Sequence, residues 1–251
     1  VGVSAPAPAL PRSVIWHDLE CGRYGADLGL WTRLATAAGR GKPARVLDVG
    51  AGAGRVALAL ARAGHSVTAL ERDPELLGAL AQRAEGLPGV EPVLGDARGF
   101  ALKGPPFDLC VVPMQTVQLF GGSRERGRFL RSAQAHMRPD AVLALAIVTQ
   151  LDEFDRAAGD ATPSPDMVVI DGVRYASRPV RVEVAQRTIE IERERTVPAL
   201  GVREHDAITL ARVDAAGLGR EAARAGLRPQ RPLAVPATEE HVGSEVVIVR
   251  A

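Results

Sequence analysis

Val46-Leu47-Asp48-Val49-Gly50-Ala51-Gly52-Ala53-Gly54-Arg55-Val56 is an apolar run that gives way to glycine at every second position and then resumes as a helical pattern. The apolar part reads as a buried strand. Glycine after it lets the backbone turn sharply into a helix and lets a ligand approach without meeting a Cβ. The spacing also excludes one reading. A dinucleotide turn, G-x-G-x-x-G, would need glycine where Arg55 stands; the glycines fall at 50, 52 and 54.

On both sides of this turn, strand and helix patterns alternate. Strands are expected at 45–49, 66–70, 91–94, 107–112 and 141–148, and helices at 56–63, 75–84 and 123–137. The second of these helices starts just after Asp73-Pro74, a capping residue followed by a first-turn proline. Such alternation implies a parallel sheet covered by helices. Upstream, 16–38 reads as one or two helices with Leu28, Leu30, Trp31 and Leu34 on one stripe, ended by the breakers at 39–43. Downstream the period changes to two at 167–170, 180–185, 188–195 and 207–213, the mark of antiparallel strands with one wet face. A helix at 215–225, stopped by Gly226, and a strand at 242–249 with 233–235 as a partner close the chain.

The expected fold is therefore α/β: a doubly wound, seven-stranded, mostly parallel sheet with an N-terminal helical cap and an inserted small antiparallel β-sheet. The expected division is a cap at 1–43, a Rossmann-like core at 44–151, an inserted β lid at 152–213, and a C-terminal helix and strands at 214–251 that complete the core sheet. In open α/β sheets ligands bind at the carboxyl ends of the strands, where the insertion would lie as a lid.

Composition narrows the classes. An apolar fraction of 46% with 24% charged residues fits a globular chain able to bury a core. With 31 basic and 30 acidic residues and no block of like charge, nucleic acid is not an expected partner. No run approaches a membrane span, and the opening residues lack the pattern of a secretory leader, so a cytoplasmic setting is expected. Cys21 and Cys110 stand far apart and read as free thiols, Cys110 inside an apolar strand. The five histidines have neither H-x-E-x-H spacing nor a C-x-x-C companion, so no metal site is expected.

An acid two residues before G-x-G-x-G resembles the first motif of the class I S-adenosylmethionine (SAM)-dependent methyltransferases. Three further matches follow in order. Leu70-Glu71-Arg72-Asp73 ends the second strand with an acid, Gly95-Asp96-Ala97-Arg98 ends the third, and Phe107-Asp108-Leu109-Cys110-Val111-Val112-Pro113 resembles the family's fourth-strand motif. The resemblance implies SAM as cofactor, with Gly50, Gly52 and Gly54 forming the methionine and ribose turn and Asp48 at the cofactor's amino end. It implies Glu71 at the ribose, where a carboxylate suits two hydroxyls, and Asp96 at adenine, with Arg72, Ala97 and Pro113 as neighbouring contacts.

The acceptor half is less legible. Pro113-Met114-Gln115-Thr116-Val117-Gln118 departs from the N-P-P-Y signature of enzymes acting on adenine or glutamine amides. It resembles instead the small bacterial methyltransferases with an amide-rich loop, making Gln115 and Gln118 candidate pocket residues. In the N-terminal segment Trp16, His17, Asp18, Leu19, Glu20 and Tyr24 group aromatic, imidazole and carboxylate side chains. His17 and Tyr24 are the candidate catalytic bases, with Asp18 as a further one, and Trp16 is a candidate substrate contact. The expected activity is methyl transfer to N, O or S of a small molecule by a monomer or homodimer. The alternatives are a non-catalytic SAM-binding protein, an RNA methyltransferase, and a nicotinamide-dependent reductase, the last opposed by Arg55.

Overall fold

The computed structural model describes residues 10–238 and 241–251. The reading of the chain's opening as lacking a leader falls mainly on 1–9, outside the described residues. Five strands, β1 (Arg45–Val49), β2 (Ser66–Glu71), β3 (Val90–Leu94), β4 (Phe107–Val112) and β5 (Met137–Ile147), lie parallel in the order β3-β2-β1-β4-β5. Strands β6 (Phe154–Asp155), β7 (Asp166–Ile170), β8 (Val173–Val184), β9 (Thr188–Val197) and β10 (Val202–Ala211) form a separate antiparallel sheet. The chain then returns through β11 (Arg228–Pro229), β12 (Leu233–Val235) and β13 (Ser244–Arg250). The last of these lies antiparallel to β5, with β11 and β12 both paired to it.

The described residues also form six α-helices. They are α1 (Arg12–His17), α2 (Leu28–Gly39), α3 (Arg55–Arg62), α4 (Pro74–Arg83), α5 (Ser123–Ala135) and α6 (Ala215–Arg224). Consecutive strand residues point to opposite faces, and both faces are buried: Val46, Ala69 and Val111 pack with Trp31, Leu60 and Leu80, whereas Leu47, Cys110 and Leu143 pack with Phe129, Leu130 and Leu218. Two covered faces explain why the parallel strands read as continuous apolar runs. Asp73 caps α4 as expected, Oδ1 accepting from the backbone of Glu75 at 2.8 Å and Leu76 at 3.2 Å.

Some expectations are corrected. Among the described residues the main sheet has eight strands, because β11 adds a two-residue strand to the expected seven. β8 starts at Val173 rather than 180: a register shift between Pro179 and Arg181 reverses the side-chain alternation and hides the first half of the strand. β10 starts at Val202 rather than 207, since Arg203, Glu204, His205 and Asp206 carry no apolar signal. Helix α5 ends at Ala135, and β5 begins at Met137 rather than 141. The N-terminal helical stretch breaks into α1, one π-helical turn Asp18–Gly22, and α2.

Candidate active site

The strand order reverses between β1 and β4, so the turns that leave them diverge and open a crevice at the carboxyl ends. The crevice is a cavity of about 360 Å³ roofed by the N-terminal segment and by β9 and β10 of the second sheet. This volume lies within the range of small-molecule sites.

The glycine turn forms the floor. Gly50 has φ 69° and Gly52 φ 54°, and a Cβ would stand 2.5 Å from Thr116 Cγ2 at the first and 2.3 Å from His17 Nε2 at the second. Both positions therefore need glycine for conformation and for space. Gly54 also has a positive φ, but its missing Cβ makes room for Leu58 and Leu80 beneath α3, and it does not line the cavity.

Glu71, at the end of β2, reaches back to the turn. Its Oε2 accepts from Gly52 N at 2.9 Å, and its Oε1 accepts from Arg72 N at 2.8 Å and Asp73 N at 2.9 Å. Three backbone donors fix the carboxylate and leave acceptor capacity on Oε2. Asp48 lines the same cavity fully buried, with neither Oδ hydrogen-bonded among the described residues. Burial pushes its carboxyl up to about 7. An orphaned buried acid beside bare glycines suits a ligand bearing a cationic donor.

At the end of β3, Asp96 is paired with Arg98, whose backbone N and Nε lie 2.8 and 3.0 Å from Oδ1. The hydrogen bond from the Arg98 side chain holds Asp96 at about 2. Arg72, Ala97, Pro113 and Gln115 also line the cavity.

The other candidates divide. His17 enters the cavity over Gly52, with Nδ1 buried and unpartnered among the described residues, and burial lowers its basicity. Trp16, Tyr24 and Gln118 do not line it. Trp16 packs edge-on against Tyr175 and donates from Nε1 to Glu204 at 3.3 Å, tying the N-terminal segment to the antiparallel sheet. Tyr24 lies in the core against the His241 ring and the Arg55 guanidinium. Gln118 is fully buried: Nε2 donates to Val148 O at 3.0 Å and Ala211 O at 3.1 Å, and Oε1 accepts from Val148 N at 2.8 Å. It thus satisfies backbone groups where the chain leaves the main sheet and where it returns, a need that only the three-dimensional path creates.

Among the polar residues that line the cavity, sequence reasoning assigned Arg55, Arg195 and Asp206 no place in the site and noted Glu20 only as one member of the N-terminal group. Arg55 donates to Tyr24 O at 2.7 Å and to Asp27 Oδ2 at 2.8 Å, and Asp27 also accepts from Trp31 Nε1 at 2.8 Å, so this arginine fastens the N-terminal segment to the turn. Arg195 had a signal. It shares a strand face with Ile189, Ile191 and Val197, so a charge points where apolar residues go inward. Glu20 stood out as a carboxylate in the N-terminal group, but its partners Arg195 and Ser177 lie more than 150 residues away in the sequence and left no trace beside it.

Residues 46–140 match the family model described as a methyltransferase domain. Together with the strand order and the glycine turn, this gives residues 46–140 the Rossmann-like fold of a class I methyltransferase domain. Among curated proteins, a ribosomal RNA small subunit methyltransferase A of Novosphingobium aromaticivorans is 45% identical over 76 residues, 30% of this chain and 28% of that protein. The chain thus spans less than a third of that relative. Among solved structures, SAM-bound CalS10, an amino pentose methyltransferase from Micromonospora echinaspora, is 23% identical with a TM-score of 0.71, covering 94% of this chain and 96% of that one. KedS8, a sugar N-methyltransferase from Streptoalloteichus sp ATCC 53650, is 17% identical with a TM-score of 0.72, covering 99% and 96%. At these identities the likeness is one of fold, and it extends through the antiparallel sheet. Among the described residues no helix is long and apolar enough to cross a membrane, and no group of three or more His, Cys, Asp or Glu is arranged to hold a metal ion.

Proposed function

We propose that the protein transfers the methyl group of SAM to a nucleophilic N, O or S atom of a small polar acceptor enclosed beneath the antiparallel sheet. The observation that carries this reading is the roof. Arg195, Asp206, Ile208 and Leu210 of that sheet and His17 and Glu20 of the N-terminal segment line one cavity with the glycine turn. A roofed pocket of this size suits a small molecule. The names of CalS10 and KedS8, an amino pentose and a sugar N-methyltransferase, support a small acceptor. The RNA methyltransferase relatives match over 76 to 121 residues, at most 41% of this chain.

SAM supplies a methyl group on a sulfonium, already a good leaving group, so the chain's own task is binding, alignment and exclusion of water. In this reading Gly50 and Gly52 leave room for the methionine and ribose portions, and Asp48 accepts from the α-ammonium. Glu71 accepts from the ribose, and Asp96 with Arg72 and Ala97 frames adenine. Pro113 and Gln115 border the transferring methyl. Gly54 keeps the turn packed from below, Gln118 secures the lid, and Tyr24 and Trp16 brace the N-terminal segment. His17 is the one candidate base inside the cavity; burial keeps its ring neutral and able to accept a proton.

Calorimetric titration with SAM, S-adenosylhomocysteine and NADH tests the reading. Micromolar binding of both adenosyl ligands is expected, weakened about a hundredfold or more in Glu71→Ala, as for loss of two charge-assisted hydrogen bonds. Tighter binding of NADH than of SAM would sink it. Salt-sensitive RNA binding with methylation of RNA would replace the small acceptor by a nucleic acid.

A further inference from the structure

The lid wall of the cavity contains a polar cluster whose donors and acceptors are only partly used. Arg195 of β9 grips Glu20 with two hydrogen bonds, Nε to Oε1 at 2.7 Å and Nη2 to Oε2 at 2.8 Å. Ser177 Oγ donates to the same Oε1 at 2.6 Å. The guanidinium stands over the Trp16 ring, 5.8 Å from its centroid, and Nη2 lies 3.1 Å from Asp206 Oδ2 on β10. Burial alone would raise the Glu20 carboxyl, but the hydrogen bonds from Arg195 and Ser177 outweigh it and hold Glu20 ionised.

Glu20 is thus committed through both oxygens. Among the described residues, Arg195 Nη1 has no hydrogen-bond partner and neither has Asp206 Oδ1. Arg195 and Asp206 both line the cavity. What this wall offers a ligand is one forked donor beside one anionic acceptor. Its charge is one arginine against two carboxylates, an excess of one negative charge. A phosphate or carboxylate on the acceptor would meet Glu20 and Asp206 beside the arginine, whereas an ammonium would gain from the field. Ile208 and Leu210 share the β10 face with Asp206 and offer apolar surface to a carbon framework.

Building on the methyltransferase reading of this cavity, we propose that Asp206 and Arg195 select an acceptor carrying an amine next to a hydroxyl or ether oxygen. Asp206 accepts from the amine, Arg195 Nη1 donates to the neighbouring oxygen, and Glu20 is a positioning residue that aims the guanidinium. The amine arrives protonated and gives one proton to His17 or to solvent. Its freed lone pair forms the N–C bond to the methyl carbon as the C–S bond breaks, with that pair going to sulfur. The products are the N-methylated ammonium and S-adenosylhomocysteine. A monosaccharide bearing an amino group beside a hydroxyl carries this pattern on a ring.

The experiment uses the full chain with isotopically labelled SAM and the methyl glycosides of 2-, 3- and 4-amino-deoxyhexoses, each beside its parent with hydroxyl in place of amine. Turnover of at least one amine and of no parent is expected. Asp206→Asn should raise the KM for that amine roughly tenfold to a hundredfold, with the Kd for S-adenosylhomocysteine unchanged. Glu20→Gln should raise the same KM by a smaller factor and leave kcat within about threefold. That split separates aiming from a general loss of structure, which would lower kcat and cofactor affinity together. Amine turnover with an unchanged KM in Asp206→Asn overturns the assignment. Failure of every amine in a protein that binds S-adenosylhomocysteine overturns the acceptor class alone, whereas failure to bind S-adenosylhomocysteine overturns the methyltransferase reading beneath it.

Discussion

The two walls of the cavity are built by different means. The floor, from β1, β2 and β4, uses backbone: bare glycine at 50 and 52, three main-chain donors fixing Glu71, and a buried Asp48 at the strand end. The roof, from the N-terminal segment and the antiparallel sheet, uses side chains joined across the sequence, Glu20 with Arg195 and Trp16 with Glu204. A backbone floor holds its shape through few substitutions, whereas a side-chain roof can be re-cut residue by residue. The floor is also the part that matches a methyltransferase family model, residues 46–140, and the roof falls outside that match. The contrast suits a floor that serves one cofactor and a roof that serves a particular acceptor.

Gln118→Leu should part the two walls most sharply. It strips hydrogen-bond partners from Val148 N, Val148 O and Ala211 O. The expected cost is about 2–4 kcal/mol in denaturant unfolding, with limited proteolysis cutting first within 152–213. Affinity for S-adenosylhomocysteine should stay within about threefold; a collapse of that affinity would mean that floor and roof are one unit.

Gly52→Ala attacks the floor where the roof touches it. The new Cβ would lie 2.3 Å from His17 Nε2 at a φ of 54°. Loss of about 1–2 kcal/mol from the left-handed conformation alone is expected, with cofactor affinity down at least about tenfold. Adding His17→Ala should recover thermal stability in part, since it removes the clash and leaves the backbone strain. No recovery would mean that the strain, not the contact, demands glycine.

Asp48 gives a pH signature. Its carboxyl is raised to about 7 in the folded protein, so across the window from about pH 4 to pH 7 the unfolded chain releases a proton that the native state keeps. Stability should therefore fall as pH rises through this window, more steeply than in Asp48→Asn. Affinity for S-adenosylhomocysteine, whose ammonium favours the ionised acid, should rise several-fold over the same range in the wild type and stay flatter in the variant. Equal pH slopes in the two proteins would remove Asp48 from the cofactor's amino end.

The smallest effect is expected of Tyr24→Phe. The ring keeps its packing against Arg55 and His241, so stability should change by less than about 1 kcal/mol, and methyl transfer should be unaltered. A large fall in kcat would restore Tyr24 as a base.

The sequence by itself determined the order of strands and helices in the core, the glycine turn and the acids at the ends of the second and third strands. All of these are local. A buried parallel strand is a continuous apolar run, a turn of this kind demands glycine within a few residues, and an acid at a strand's end is placed by the strand itself. Only the tertiary structure decided what the remaining polar residues do. Gln118, Trp16 and Tyr24 look like pocket residues as letters, yet each is used up in packing or in satisfying backbone left unpaired by the chain's path. Glu20, Arg195 and Asp206 became a site only when strands far apart in sequence were laid over the turn. Hydrogen bonds between such distant residues leave no periodicity in either segment, so this part of the protein was settled by folding and could not be read before it.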